Sequence, residues 1–149
     1  MADPFTDDIS TQSFFKINPI LIVSRIHNGK LQILNQIRKS NPSYGKVGAP
    51  GGVTLKGEFI IDSAKRKLQQ ETGLIADFKI IGYERRMMYK KGELFSDLIF
   101  PITYASKSKG DLIDTSFGEN IWVDINQAIK NESAKFDSIK SINTVLKAL

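Results

Sequence analysis

The alternation of apolar and polar positions divides the chain into strand-like and helix-like stretches. From Ile17 the pattern becomes strand-like, and Ile20-Leu21-Ile22-Val23 is a short β-branched apolar run of the kind found in buried strands. A second run, Leu31 through Ile33 to Ile37, follows His27-Asn28-Gly29-Lys30. Asn-Gly between two such runs is a strong hairpin signal, because both residues tolerate positive φ. Residues 39 to 52 are rich in Ser, Asn, Pro and Gly and read as a functional loop around a short extended piece. Ile61, Ala64 and Leu68 then recur at helical spacing, with Ile60 beside them. Asp62 or Ser63 is the expected cap of this helix, and Gly73 stands where a left-handed residue would end it.

The stretch from 78 to 105 returns to strands turning at Lys91-Gly92, with Phe78, Ile80, Leu98, Ile99, Phe100, Ile102 and Tyr104 as core candidates. Another strand is expected around Ile121-Trp122-Val123. A closing amphipathic helix is expected from about Asp137, with Ile139, Ile142, Val145, Leu146 and Leu149 apolar. No internal repeat and no dividing linker is visible, so the reading is a polar lead-in over 1–16 and one domain over 17–149.

Bulk composition narrows the function. A chain of 149 residues suits one hydrophobic core. It has no cysteine, which excludes disulfides and thiolate zinc sites and fits a reducing, cytoplasmic setting. The first residues lack the basic start and apolar run of a secretory signal, and no apolar stretch is long enough to span a membrane. The net charge of +5 favours anionic partners such as nucleotides, polyphosphates or RNA, although scattered lysines also suit a plain solvated surface.

The informative segment runs from Pro50-Gly51-Gly52 to Glu58, then from Arg66 through Glu71 and Thr72 to Gly73-Leu74. It resembles the Nudix box, the loop–helix–loop G-x5-E-x7-R-E-U-x-E-E-x-G-U in which U is a bulky aliphatic residue. Gly52, Glu58, Arg66, Leu68, Glu71, Gly73 and Leu74 match; Lys67 and Gln70 stand where the family has glutamates. The resemblance implies an α/β fold: an α/β/α sandwich around a mixed, curved central sheet. It also implies an activity, hydrolysis of a nucleoside diphosphate linked to another moiety with magnesium or manganese.

That chemistry explains why the two departures matter. Divalent ions neutralise the phosphate oxygens, hold the substrate and acidify the attacking water. Magnesium favours carboxylate oxygens, and positions 67, 70 and 71 share one helix face. In this chain Lys67, Gln70 and Glu71 sum to zero charge. At an effective dielectric of ~20, a unit positive charge ~5 Å from a dication costs about 6–7 kcal/mol. The expectation is at most one weakly bound ion, held by Glu71, Glu119 and the Gly52 carbonyl, with Gln70 able to offer only a neutral oxygen. Lys67 could instead meet substrate phosphate directly.

Further assignments follow from the resemblance. Arg66 pairs with Glu58 or Glu71 and orders the site, and Glu58 shares that role. Glu119 serves as ligand or general base, or simply caps a turn before Trp122. Tyr89 lies where relatives acting on dinucleoside polyphosphates carry a tyrosine, and Arg38 with Lys39 ends a strand near the expected pocket mouth. Trp122 fits the core better than a stacking platform. Arg85, Arg86, Lys90 and Lys91 suit an exposed strand face, and His27 suits an inert turn. Two functions remain open: a diphosphate hydrolase with Glu71, Glu58, Arg66 and Glu119 in the machinery, and a non-catalytic module binding a nucleotide, metabolite or RNA. A homodimer is compatible with both.

Overall fold

The computed structural model describes residues 14–40, 44–135 and 140–149. β1 (Phe14–Ile17) and β2 (Ile20–His27) follow one another along the same edge of β6 (Glu93–Ala105), both parallel to it. The other edge of β6 carries β5 (Lys79–Lys90), antiparallel. β2 continues past β6 and pairs antiparallel with β3 (Lys30–Arg38), which carries β4 (Val47–Gly48) and β7 (Gly118–Asp124). The sheet is thus mixed and has seven strands.

β2 explains why its apolar run is unbroken. Successive side chains of a strand leave opposite faces. Leu21 and Val23 pack with Leu34, Ala64 and Leu68 under α1 (Ile60–Thr72). Ile20 and Ile22 pack with Ile33, Phe100 and Ala128 under α2 (Ile125–Lys135), together with Ile142 and Val145 of α3 (Ser141–Ala148). Helices cover both faces, which gives the α/β/α sandwich.

Both two-residue turns form as the sequence implies. Asn28 and Gly29 have φ of 51° and 77°, and Lys91 and Gly92 have 52° and 79°. The structure differs from expectation in four places. β1 begins at Phe14, inside the stretch assigned to the lead-in; parallel pairing with β6 draws it into the sheet. Residues 1–13 lie outside the described residues. The N-cap of α1 is Phe59, not Asp62 or Ser63, and no side chain caps it. Ser63 is buried in the first turn, where it donates to the Ile60 carbonyl and meets Thr54. Ile80, a core candidate, is half exposed on the edge strand β5. α2 was not anticipated. The expected start of the closing helix, about Asp137, lies outside the described residues, and α3 is described from Ser141.

Trp122 packs against the α1-side core, and the Arg25 guanidinium lies 4.6 Å over its ring. His27 ends β2, exposed. Among the described residues no helix is long and apolar enough to cross a membrane.

Candidate functional site

The glycine-rich loop is stitched to the break between β1 and β2. The Pro50 carbonyl accepts from the Leu21 amide, and Thr54 N–H donates to the Ile17 carbonyl. A Cβ at Gly51 would stand 2.8 Å from the Pro19 carbonyl oxygen, so only glycine permits this approach.

Glu58 and Arg66 form the fork that secures the loop to α1. Arg66 Nε donates to Glu58 Oε2 at 2.8 Å, and its Nη2 donates to Glu58 Oε1 and the Val53 carbonyl, each at 3.0 Å. Glu58 Oε1 also accepts the Leu55 amide. These bonds, Arg66 first, hold the Glu58 carboxyl below its ordinary range. Of the two partners considered for Arg66, the structure selects Glu58. Gln70, which had only a neutral oxygen to offer, accepts from Arg66 Nη1 at 3.3 Å.

Lys67 and Glu71 occupy the centre of the box. Glu71 is 2% exposed, and the Lys67 ammonium lies 3.1 Å from its Oε2. That oxygen has no hydrogen bond of normal geometry among the described residues, so the contact is one of charge. Burial pushes the Glu71 carboxyl above its ordinary value, and the opposing pull of Lys67, with Gln36 and Arg38, does not fully offset it. The Lys67 stem lies across Gly52: a Cβ there would fall 2.1 Å from Lys67 Cε. The ammonium also sits 4.6 Å over the Phe117 ring. Lys67 is therefore turned inward and satisfied by protein groups.

The end of α1 is held from β7. Asn120 Nδ2 donates to the Glu71 carbonyl at 2.8 Å, and the Thr115 hydroxyl donates to the same oxygen at 3.0 Å. Ile113 N–H meets the Thr72 carbonyl. Gly73, at φ 79°, closes the helix. Carbonyls that a helix leaves unpaired are thereby satisfied. Gln36 Nε2 donates to Asn120 Oδ1 at 3.2 Å, which places both side chains on the α1 face.

Glu119 precedes Asn120 in the strand and is exposed. Strand alternation sends its side chain to the face opposite Asn120. Tyr89 is near the tip of the β5–β6 hairpin, exposed and paired with Leu94. The structure thus brings Gly52, Lys67 and Glu71 together, and separately Glu58, Arg66 and Gln70. Among the described residues, no hydrogen bond or ion pair joins Glu119 or Tyr89 to either group.

On the other side of the glycine loop is a cavity of about 460 Å³. Arg38 lines it, with Lys16 of β1 and Glu132 and Lys135 of α2. Glu132 accepts from the Ser141 hydroxyl and the Ile142 amide, and so caps the N-terminus of α3 from a different helix. Burial raises its carboxyl pKa. Sequence reasoning missed Lys16, Gln36, Asn120, Glu132 and Lys135. Gln36 and Asn120 stand in strands that carry several other polar residues, so nothing local marked them, and nothing local marks Glu132 or Lys135.

Nudix hydrolases generally use divalent ions such as magnesium or manganese. The groups here do not suit one. Among the described residues no three of His, Cys, Asp and Glu gather as a metal-holding cluster. The ammonium on Glu71 would repel a dication ~5 Å away by about 6–7 kcal/mol at an effective dielectric of ~20.

Comparisons with known proteins agree with this architecture. Residues 19–144 match the model of the NUDIX domain. The NUDIX domain of Shewanella oneidensis NrtR, solved with ADP ribose, superposes with a TM-score of 0.74 at 14% identity, over 97% of this chain and 94% of that one. The MutT protein of Bacillus halodurans gives 0.66 at 22% identity, over 77% and 72%. A C. elegans Ap4A hydrolase binary complex gives 0.63 at 17%, over 89% and 96%. No curated protein sequence matches significantly. Structural identities this low speak for the fold alone, but the family model covers most of the chain and coincides with the loop–helix–loop built above: the chain belongs to the Nudix family.

Proposed function

We propose that this Nudix domain binds a ligand containing a nucleoside diphosphate linked to another moiety, and that it acts as a binding module rather than a magnesium hydrolase. The observation that carries this reading is Lys67. Its stem fills the space over Gly52 and its ammonium rests 3.1 Å from Glu71, the one carboxylate kept among positions 67, 70 and 71. An ammonium neutralises charge but does not acidify a bound water as a dication does. Binding is therefore better preserved than turnover. The ligand class is suggested by two structural neighbours, one solved with ADP ribose and one described as an Ap4A hydrolase.

A second reading is favoured by the Glu58–Arg66 fork, which keeps the loop in order as an active site requires. In it the chain is a hydrolase in which Glu71 and the Gly52 carbonyl hold one weakly bound magnesium or manganese ion, without the Glu119 expected from the sequence.

The test incubates the protein with ADP-ribose, NADH, dinucleoside polyphosphates, nucleotide sugars and nucleoside triphosphates, with magnesium or manganese, and follows both product and thermal shift. A shift without turnover, and turnover only in Lys67→Glu/Gln70→Glu, supports the binding module. Wild-type turnover that disappears in Glu71→Ala establishes the hydrolase instead.

A further inference from the structure

β5 is an outer strand of the sheet. Among the described residues it pairs with β6 alone, so its far side presents backbone donors and acceptors to no partner strand. Such an edge is a template for pairing with another chain unless proline, charge, shortness or a cover blocks it. β5 runs the 12 residues Lys79–Lys90 without proline, and its lysines stand only at the two ends. Its large apolar side chains are exposed, Tyr83 by 71% and Met87 by 46%.

The direction of the edge groups follows from β6. The Ile99 carbonyl accepts from the Asn18 amide, so it points away from β5. Arg85, opposite Ile99, therefore belongs to a pair without mutual hydrogen bonds and turns its own N–H and C=O to the outer edge. By alternation Tyr83 and Met87 do the same. The register with β6 shifts between Ile80 and Gly82 and again between Met88 and Tyr89. The regular span between these shifts is Gly82–Met88, and its midpoint is Arg85.

A regular span centred on an outward residue can pair antiparallel with a second copy of itself about a two-fold axis, every contact then occurring twice. Centred on Arg85, the register sets Tyr83 against Met87 of the other copy and Glu84 against its Arg86. Apolar meets apolar and acid meets base, whatever these groups touch within their own chain. The two central arginines are each held by an Asp97, at 2.6 and 2.9 Å, which offsets their repulsion. Met88 of the other copy falls opposite Gly82. A Cβ at Gly82 would stand 3.1 Å from Thr144 Cγ2, so α3 lies over that position. Beside it Glu84, Thr144 and Leu146 line a cavity of about 540 Å³, and Met88 leaves the strand on the same face as Gly82.

We infer that two copies of this chain pair β5 to β5, antiparallel about Arg85, joining their sheets into one and seating Met88 of each in the cavity between β5 and α3 of the other. Nothing in this pairing depends on whether the chain binds its ligand or hydrolyses it.

Sedimentation equilibrium of the full chain over a dilution series reads the association, and cysteine cross-linking reads the register. Wild type is expected to approach twice the monomer mass on concentration and to dissociate on dilution. Met87→Pro removes only an outward N–H and leaves the ladder to β6, so it is expected to remain monomeric with an unchanged circular dichroism spectrum. The chain has no cysteine of its own. In Tyr83→Cys/Met87→Cys the two thiols of one chain are ~13 Å apart, too far to bridge, whereas those of paired copies face each other at ~5.5 Å between Cα atoms. Mild oxidation is expected to give a covalent dimer of this double variant. Either single variant stays monomeric under oxidation, because equal positions of the two copies are also ~13 Å apart. Cross-linking decides the matter even if the proline variant does not fold. A wild-type chain that stays monomeric up to its solubility limit overturns the inference and leaves the edge to another occupant. A dimer whose double variant does not cross-link, or whose single variants cross-link as readily, overturns it as well.

Discussion

Replacing Lys67 with methionine tests whether this lysine is there to balance a buried charge. The substitution keeps a stem of similar length over Gly52 but deletes the ammonium 3.1 Å from Glu71 Oε2. Glu71 is 3% exposed at its side chain and Lys67 14%. Breaking a buried pair by removing one partner costs about 3–5 kcal/mol. The partial exposure of Lys67 places this case at the lower end, about 3 kcal/mol at pH 8. For a chain of this size that lowers Tm by about 6–12 °C. Burial already raises the Glu71 carboxyl above 4.5, and loss of Lys67 removes an influence that lowers it. Folded Glu71 therefore holds its proton more tightly than unfolded Glu71. Stability attached to this group is full below the ordinary carboxylate value and is lost as pH rises through the raised one. The variant is thus most impaired at pH 8 and approaches wild type toward pH 5, leaving about 1 kcal/mol for the lost contact with Phe117. Differential scanning calorimetry across that range reads the effect, and Lys67→Met/Glu71→Gln recovers stability at pH 8. A Tm deficit equal at both ends of the range refutes the charge argument in favour of plain packing. No deficit at all refutes the pairing.

Two further substitutions test the supports of the site. Arg66→Lys keeps the charge but not the fork to Glu58 and Val53, so the Leu55 amide exchanges faster with deuterium while the α1 core amides do not change. Asn120→Leu leaves the Ile113 carbonyl without its side-chain donor and the Glu71 carbonyl with the Thr115 hydroxyl alone, and costs about 1–3 kcal/mol by urea denaturation.

Features resting on local chemistry were legible in the sequence. Asn28-Gly29 and Lys91-Gly92 marked turns because few residues adopt positive φ, and Gly73 marked the helix end for the same reason. The unbroken run 20–23 read as a buried strand because it has no polar residue for a solvent face. The zero charge sum at 67, 70 and 71 was visible as well. Features set by distant partners were not legible. The start of α1 depends on Thr54 and the Glu58–Arg66 fork rather than on a capping side chain. The inward course of Lys67 depends on the empty space at Gly52, fifteen positions away by the numbering. Glu132 caps α3, and α2, only moderately amphipathic, brings Lys135 to the cavity from a stretch with no motif.

In the proposed reading the Lys67 ammonium stands where a metal ion would otherwise lie beside Glu71. Titration of the ligand-free protein with manganese, read by water-proton relaxation, addresses it most directly. The expected result is no saturable binding by wild type and a clear saturable site in Lys67→Glu/Gln70→Glu. Tight manganese binding by the wild-type chain would contradict it.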